Sequence, residues 1–430
     1  MLFRSTSFSK KEEAVAEFMS IFKSKSGNEW KDIDNFQRVK KKYKVVKLDQ
    51  TTSKEQLEDF YTGRHEKDLL PTNLTEGVRN ILTEVASSKV LFARVKAVNF
   101  DISRLPLSKL NKPDLLQAFT LLKEMKKVAM ELQEERNVDV IDSEPERIFE
   151  LLDELSEMTS EYYELIPSTR YRTSAIPPME SLSAIDQNIM IVRELLEVEV
   201  AVKILLGARL KIKEMHPLDY CYNSLNIKLM ELDDQSIEKT AILDYVKQSY
   251  DYGHPDSIQT FALERQGETV RFAKHLNMKN RKLLWHGTQT MNFIGVLNKG
   301  LKIAPPEAPH TGAMFGKGIY FSDTFVKSYS YCNGQIKIVL LCEVALGNSE
   351  PIFASKHMTQ PSEGYQSVMG MGQNTPDPKQ DVVIPNGMII PLGPLTKRHN
   401  PDNLVRLSYN ELVVYNEDQV KIRYMVVMNN

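Results

Sequence analysis

Apolar residues recur at helical spacing almost without a break from about residue 66 to 206, and beyond about 208 they gather into β-prone runs separated by Gly and Pro. A helical stripe has a period of 3.6 residues and a half-buried strand a period of 2, so a chain carrying first one and then the other builds an α part followed by a β part. The expected class is α+β and multidomain, with an all-α domain over 66–206 and a mixed β-sheet domain over 208–430. In the first, Asn111-Lys112-Pro113-Asp114 supplies a cap, an early-turn proline and an acid ahead of Leu115, Phe119 and Leu122. Ile185, Ile189, Val192 and Leu196 repeat the spacing on a helix expected to end near Gly207, and Pro177-Pro178 breaks the chain between the two helices. In the second, Gln335 to Leu346 and Lys421 to Met428 read as strands, and 345–400 as a loop-rich insertion.

Ahead of both lies a basic segment. Residues 1–50 hold 12 basic and 7 acidic side chains, +5 by difference, densest at Arg38, Lys40, Lys41, Lys42 and Lys44, whereas residues 130–164 come to about −11. Ala14, Phe18, Ile21 and Phe22 share one face of a short helix that Gly27-Asn28 should end. Tyr43 to Leu48 has the β-branched content of a strand, and 51–65 reads as a linker. Over all 430 residues, 55 Lys and Arg against 57 Asp and Glu leave −2, which excludes nucleic-acid binding through bulk charge alone. Cys221, Cys332 and Cys342 form no Cys-x-x-Cys, which argues against a disulfide framework or a zinc ribbon and for a reducing compartment. No run nears the roughly 18 apolar residues of a membrane helix and no apolar signal core follows Met1, so the expectation is a soluble intracellular protein with no membrane partner.

Three segments carry side chains suited to chemistry. His286 closes Leu283-Leu284-Trp285 and precedes Gly287-Thr288, so a strand delivers an imidazole and then a backbone that a ligand can approach closely; a core histidine satisfied at a strand end reads the same way. Met314 to Asp323 (MFGKGIYFSD), with Lys327-Ser328 and Tyr331-Cys332 behind it, sets two glycines about a lysine. It lacks the spacing of a P-loop and of a dinucleotide-binding Gly-x-Gly-x-x-Gly, and a hairpin with aromatic core residues explains it equally. Tyr409 to Tyr415 (YNELVVY) sets one carboxylate, Glu411, at the head of an apolar strand, where a solvated surface glutamate is the ordinary occupant.

Together, LLWHGT, GKGIYFSD with KSxxYC behind it, and YNELVVYN, in this order, resemble the catalytic domain of the poly(ADP-ribose) polymerases, specifically the DNA-dependent branch. The colinear stretch Gly300 to Pro309 (GLKIAPPEAP) adds to the likeness. Asp101 to Leu116 and Glu194 to Ala201 resemble that branch's regulatory helical domain, and Gly27-Asn28-Glu29-Trp30, Phe36 and Lys42-Tyr43 look like the C-terminal half of a WGR domain. The resemblance divides the chain into a partial WGR-like segment (1–50), a linker (51–65), an α-helical regulatory domain (66–206) and an ADP-ribosyltransferase domain (208–430).

That resemblance implies a nuclear enzyme that consumes NAD+ as substrate, needs no metal, responds to damaged DNA, and builds poly(ADP-ribose) on acceptor proteins such as chromatin proteins and itself. Its catalytic set is Glu411, His286 and Tyr320. By the family's pattern Glu411 holds the ribose 2′-hydroxyl beside the scissile bond and polarises the incoming hydroxyl, His286 binds a hydroxyl of the adenosine ribose, and Tyr320 holds the site. The Gly287 backbone and the Ser328 hydroxyl take the carboxamide, Tyr331 stacks on the nicotinamide, Thr288 stands where a serine is usual, and Asn292 and Lys302 lie toward adenosine ribose and phosphate. Met314 and Lys327 fall near the growing acceptor, Glu197 near the adenosine side under helices that cover the site at rest, and Ala313 where many members have a Tyr. Retention of Glu411 implies elongation rather than transfer of one unit. No Trp-Gly-Arg occurs, so DNA stimulation is expected to be weak and to fade between about 50 and 200 mM salt. A catalytically silent scaffold that binds DNA ends or NAD+ is the rival reading, and intact His286, Tyr320 and Glu411 argue against it.

Overall fold

The computed structural model describes residues 8, 10–37, 39, 42–43, 69–137, 145–171, 175–250, 258–303, 314–334, 336–399 and 405–429. The linker at 51–65, Ala313, most of the basic run and most of the strand expected over 43–48 lie outside the described residues. Two compact units divide the chain, 1–52 and 53–430.

In the first unit, α1 (Lys11–Ser26) ends where Gly27 turns left-handed at φ 74° and returns its N–H to the Lys23 carbonyl, as a glycine cap does. Phe18 and Phe22 meet Trp30 edge-on at centroid distances of 4.8 and 5.1 Å. Asn28 fixes the following turn, its Nδ2 donating to the Gln37 carbonyl (2.7 Å) and its Oδ1 accepting from the Gln37 N–H (2.8 Å).

The second unit begins with helices. α2 (Glu76–Val85) buries Val78, Ile81, Leu82 and Val85, the stripe that its spacing dictates. Ser87 caps α3 (Ser88–Ala97), accepting from the Val90 N–H. α4 (Lys112–Asn137) starts as its sequence says: Asn111 Oδ1 accepts from the Asp114 N–H at 3.0 Å, and Asn111 Nδ2 donates to Asp114 Oδ2 at 2.7 Å. Both α5 (Pro145–Leu165) and α6 (Leu182–Leu210) pack on α4. α6 does not stop at Gly207 but runs on to Leu210. A Cβ at 207 would stand 2.3 Å from the hydroxyl oxygen of Tyr220, on α7 (Pro217–Leu225), so this glycine admits a neighbouring helix rather than ending its own. Helices therefore persist to Leu225, well past the change of character expected at 208.

Strands come next, interspersed with short helices: β1 (Ile227–Glu231), α8 (Ile237–Lys247), β2 (Ile258–Arg265), α9 (Glu268–Phe272), β3 (Arg281–Gly287), α10 (Phe293–Lys299), β4 (Ile319–Phe321), α11 (Phe325–Tyr329) and β5 (Ile336–Ala345). After them run the short β6 (Ser349–Ile352), β7 (Ser367–Gly370), β8 (Gly372–Pro376), β9 (Val382–Val383), β10 (Met388–Ile390), β11 (Leu395–Lys397) and β12 (Leu407–Tyr409), then β13 (Glu411–Val414) and β14 (Val420–Asn429). They form sheets ordered β1-β2-β14-β5-β3-β10-β9, β4-β13-β7-β6 and β11-β8-β12. β5 and β14 pair antiparallel along their length at the centre of the largest sheet; β5 is buried from Ile338 to Ala345, hence its unbroken apolar run. One apolar core continues from the helices into this sheet, joining Ile81, Leu122 and Leu205 to Phe261, Leu284 and Ile422.

Two junctions bring the chemistry-bearing strands together. Trp285 and Ser322 exchange both backbone hydrogen bonds, at 2.8 and 2.9 Å, tying the end of β3 to the end of β4 and thus the largest sheet to the four-stranded one. Between β12 and β13 the chain crosses from the three-stranded to the four-stranded sheet through a single residue, Asn410.

Candidate active site

His286, the penultimate residue of β3, is fixed through its ring: Nδ1 lies 2.8 Å from the carbonyl oxygen of Tyr320. A carbonyl only accepts, so Nδ1 carries the proton and Nε2 of the neutral ring is left as an acceptor. Burial holds the imidazole below its usual pKa, against the raising effect of that carbonyl, which favours this neutral form.

Tyr320 on β4 turns its hydroxyl into its own loop, donating to the Gly316 carbonyl (2.6 Å) and accepting from the Phe315 N–H (3.1 Å). Burial pushes it up to about 12, so it stays a phenol. Tyr415 donates to the Phe315 carbonyl at 2.5 Å, and the two tyrosines fasten the Phe315–Gly316 turn from both sides. Tyr320 thus serves twice, its carbonyl orienting His286 and its hydroxyl holding the turn.

Glu411 opens β13, in the strand beside β4, where Leu412 pairs with Phe321 and Val413 with Tyr320. It is only 7 % exposed, not the solvated glutamate that its position suggests by default. Its Oε1 accepts an ion-pair hydrogen bond from Lys327 Nζ at 2.6 Å, and Lys327 in turn lies 6.0 Å from the centroid of the Tyr331 ring.

Gly287 needs to be glycine, because a Cβ there would fall 1.7 Å from the carbonyl oxygen of buried Ser328; its absence lets α11 lie directly against the end of β3. Beyond it opens a cavity of about 490 Å³, lined on one side by Gly287, Thr288, Asn292 and Tyr331 and on the other by Arg94 of α3 and Glu194 of α6. Asn292 Nδ2 donates to Thr288 Oγ1 at 2.9 Å, shaping that wall. Glu197, one turn from Glu194, pairs with Lys299 of α10 at 2.8 Å. Lys302 is not among the lining residues: exposed, it pairs with Glu417 at 2.6 Å. His286, Tyr320, Ser328 and Glu411 also lie outside the lining and adjoin it through Gly287 and Tyr331.

Sequence reasoning missed Arg94 and Glu194. Arg94 Nε donates to Glu194 Oε2 at 2.7 Å and its Nη1 to the Met291 carbonyl at 3.2 Å, so two helices and the loop after β3 meet on one guanidinium. Nothing local marks an arginine in the last turn of a helix for this, since a base there ordinarily faces the helix dipole from the surface; only its burial in the fold does. Among the described residues no group of three or more His, Cys, Asp or Glu stands close enough to hold a metal ion, and no helix is long and apolar enough to cross a membrane.

A helical region packed on a split sheet, with an imidazole on one sheet bridged to a phenol and a buried carboxylate on paired strands of the other, defines a class, and comparisons with known proteins agree on which. The family model for the poly(ADP-ribose) polymerase catalytic domain matches residues 236–430, and that for the poly(ADP-ribose) polymerase regulatory domain matches 72–222. Poly(ADP-ribose) polymerase 1 of Danio rerio is 33% identical over 427 residues, covering 97% of this chain and 40% of that protein. Poly(ADP-ribose) polymerase 2 of Zea mays is 32% identical over 432 residues, covering 97% of this chain and 62% of that protein. Poly(ADP-ribose) polymerase 1 of Caenorhabditis elegans is 30% identical, with 98% and 43% covered. This chain belongs to the poly(ADP-ribose) polymerase family. It spans roughly two fifths to three fifths of the length of these relatives.

Proposed function

We propose that the chain is an NAD+ ADP-ribosyltransferase that cleaves the nicotinamide–ribose bond and builds poly(ADP-ribose) on proteins, itself included, in response to DNA breaks in the nucleus. The observation that carries this reading is the placement of Glu411: a buried carboxylate, ion-paired to Lys327, on the strand beside the one that orients His286. In NAD+ the nicotinamide is already a cationic leaving group, so breaking the C1′–N bond needs no acid; its electron pair leaves with nicotinamide, which becomes neutral. What remains is an oxocarbenium-like centre and an acceptor hydroxyl, and one fixed carboxylate serves both, stabilising the positive charge and taking the acceptor's proton as oxygen bonds to C1′. Neutral His286 presents Nε2 to a ribose hydroxyl. Tyr331 offers a ring face to the cationic nicotinamide, a contact worth about 0.5–2 kcal/mol. Gly287 and Ser328 take the carboxamide, while Thr288 and Asn292 extend the wall toward the adenosine ribose.

On the same reading, 1–50 is a partial WGR-like segment, 66–206 a regulatory domain and 208–430 the transferase. Lys302 would reach a phosphate only by leaving Glu417, an exposed pair worth little. The test is incubation of the purified chain with labelled NAD+, with and without nicked duplex. A ladder supports polymer synthesis, a single modified band reduces the activity to one transfer, and an unlabelled chain overturns the reading in favour of a binding scaffold.

A further inference from the structure

Glu411 owes its position to the residue before it. Asn410 is fully buried where the chain changes sheets, and its side chain is fully engaged: Nδ2 donates to Asp323 Oδ2 (2.6 Å) and to Thr375 Oγ1 (2.9 Å), and Oδ1 accepts from the Gly372 N–H (2.9 Å). Its carbonyl accepts from Ser322 Oγ at 3.1 Å. Ser322 is the residue whose backbone is bridged to Trp285, the neighbour of His286. Ser322 and Asp323 therefore grip Asn410 by its carbonyl and its amide from the strand end that also anchors β3. Asp323 is 5 % exposed, and its Oδ1 has no partner among the described residues. A carboxylate buried with half its acceptors idle costs stability, so its presence here asks for a role other than stability.

We propose that Asp323 is a positioning residue for the reaction: through Asn410 it sets the register at which Glu411 enters β13 and so fixes the carboxylate relative to His286. The inference rests on the function proposed above. Asp323 is buried and its side chain is held by Asn410, so its loss acts through Asn410 on the placement of Glu411. A misplacement of about 1 Å at a reacting group is worth roughly a hundredfold in rate. Only the acceptor oxygen matters for holding Asn410 Nδ2, and an amide oxygen supplies that as well as a carboxylate does.

The test compares the full chain with its Asp323→Ala and Asp323→Asn variants, with nicked duplex present, measuring nicotinamide release against NAD+ concentration alongside a crystal structure of each. For Asp323→Ala we expect kcat to fall by about ten- to a hundredfold with KM within about twofold, and the Glu411–Lys327 pair to be broken; for Asp323→Asn we expect kcat within about threefold of the parent and the pair retained. If the alanine variant does not fold, Asp323→Val fills the space without an acceptor and takes its place. Equal kcat in the alanine and parent chains, a loss confined to KM, or an asparagine variant as poor as the alanine one overturns the inference. If the parent chain releases no nicotinamide, the proposed function fails, and the Glu411–Lys327 pair in the variant crystals still decides the positioning.

Discussion

At the scale of single residues, burial and close approach make two expectations sharp. Gly287→Ala would drive a methyl group into the carbonyl of Ser328, a backbone atom that cannot rotate away. We expect a loss of at least about 1–3 kcal/mol by urea melts, with α11 displaced, as overpacking does; an alanine variant as stable and active as the parent would show that the contact relaxes freely. The second concerns Asp323. Burial pushes its carboxyl from 3.8 up to about 6, with Asn410 the largest opposing influence and Lys282 and Asp381 also acting on it. A raised carboxyl pKa means that the folded chain binds the proton more tightly than the unfolded chain, so this group's contribution is greatest below about pH 4 and is lost as pH rises through about 6. Asp323→Asn, which never ionises, should therefore gain stability relative to the parent as pH goes from about 4 to about 8, by up to about 3 kcal/mol. A difference that is flat with pH, or that falls, contradicts the shift. The motif around Glu411 was legible in the sequence because it is contiguous. Its support was not: Asp323 lies 87 residues before Asn410 and Thr375 lies 35 before it, separations at which sequence pattern carries no pairing information.

At the scale of elements, helices were read from local chemistry and their ends from local breakers. Asn111 worked because a cap is a contact within one turn. Gly207 misled because the reason for that glycine, the ring of Tyr220, belongs to another helix. The contact between α3, α6 and the loop after β3 is of the same non-local kind, and it bears on regulation. Arg94 joins Glu194 to the Met291 carbonyl, and all three line the cavity. If the helices cover the site at rest, Arg94→Ala should weaken that cover by roughly 1–2 kcal/mol and raise DNA-free NAD+ turnover about 5- to 30-fold. Unchanged DNA-free turnover in a variant that still folds would mean that the contact is structural only.

At the scale of the molecule, the helices and the large sheet share one apolar core, from Ile81 through Leu205 to Phe261 and Ile422. A fragment of residues 208–430 should consequently turn over NAD+ without DNA yet melt below the full chain, because the surface that packs on Leu205 and its neighbours becomes exposed. A fragment that melts with the full chain would show that the core is not shared in energy. The order of an α part before a β part was legible, since periodicity is local. The strand order was not, because β14, last in sequence, lies between β2 and β5, and nothing in a strand's composition names its neighbours. The most direct measurement sets Glu411→Gln beside the parent chain, with labelled NAD+, nicked duplex and calorimetric NAD+ affinity in the same buffer. We expect polymer synthesis to fall by about 10²–10⁴ while affinity changes by about 1 kcal/mol. Polymer of undiminished length and rate from the glutamine variant would contradict a catalytic role for the Glu411 carboxylate.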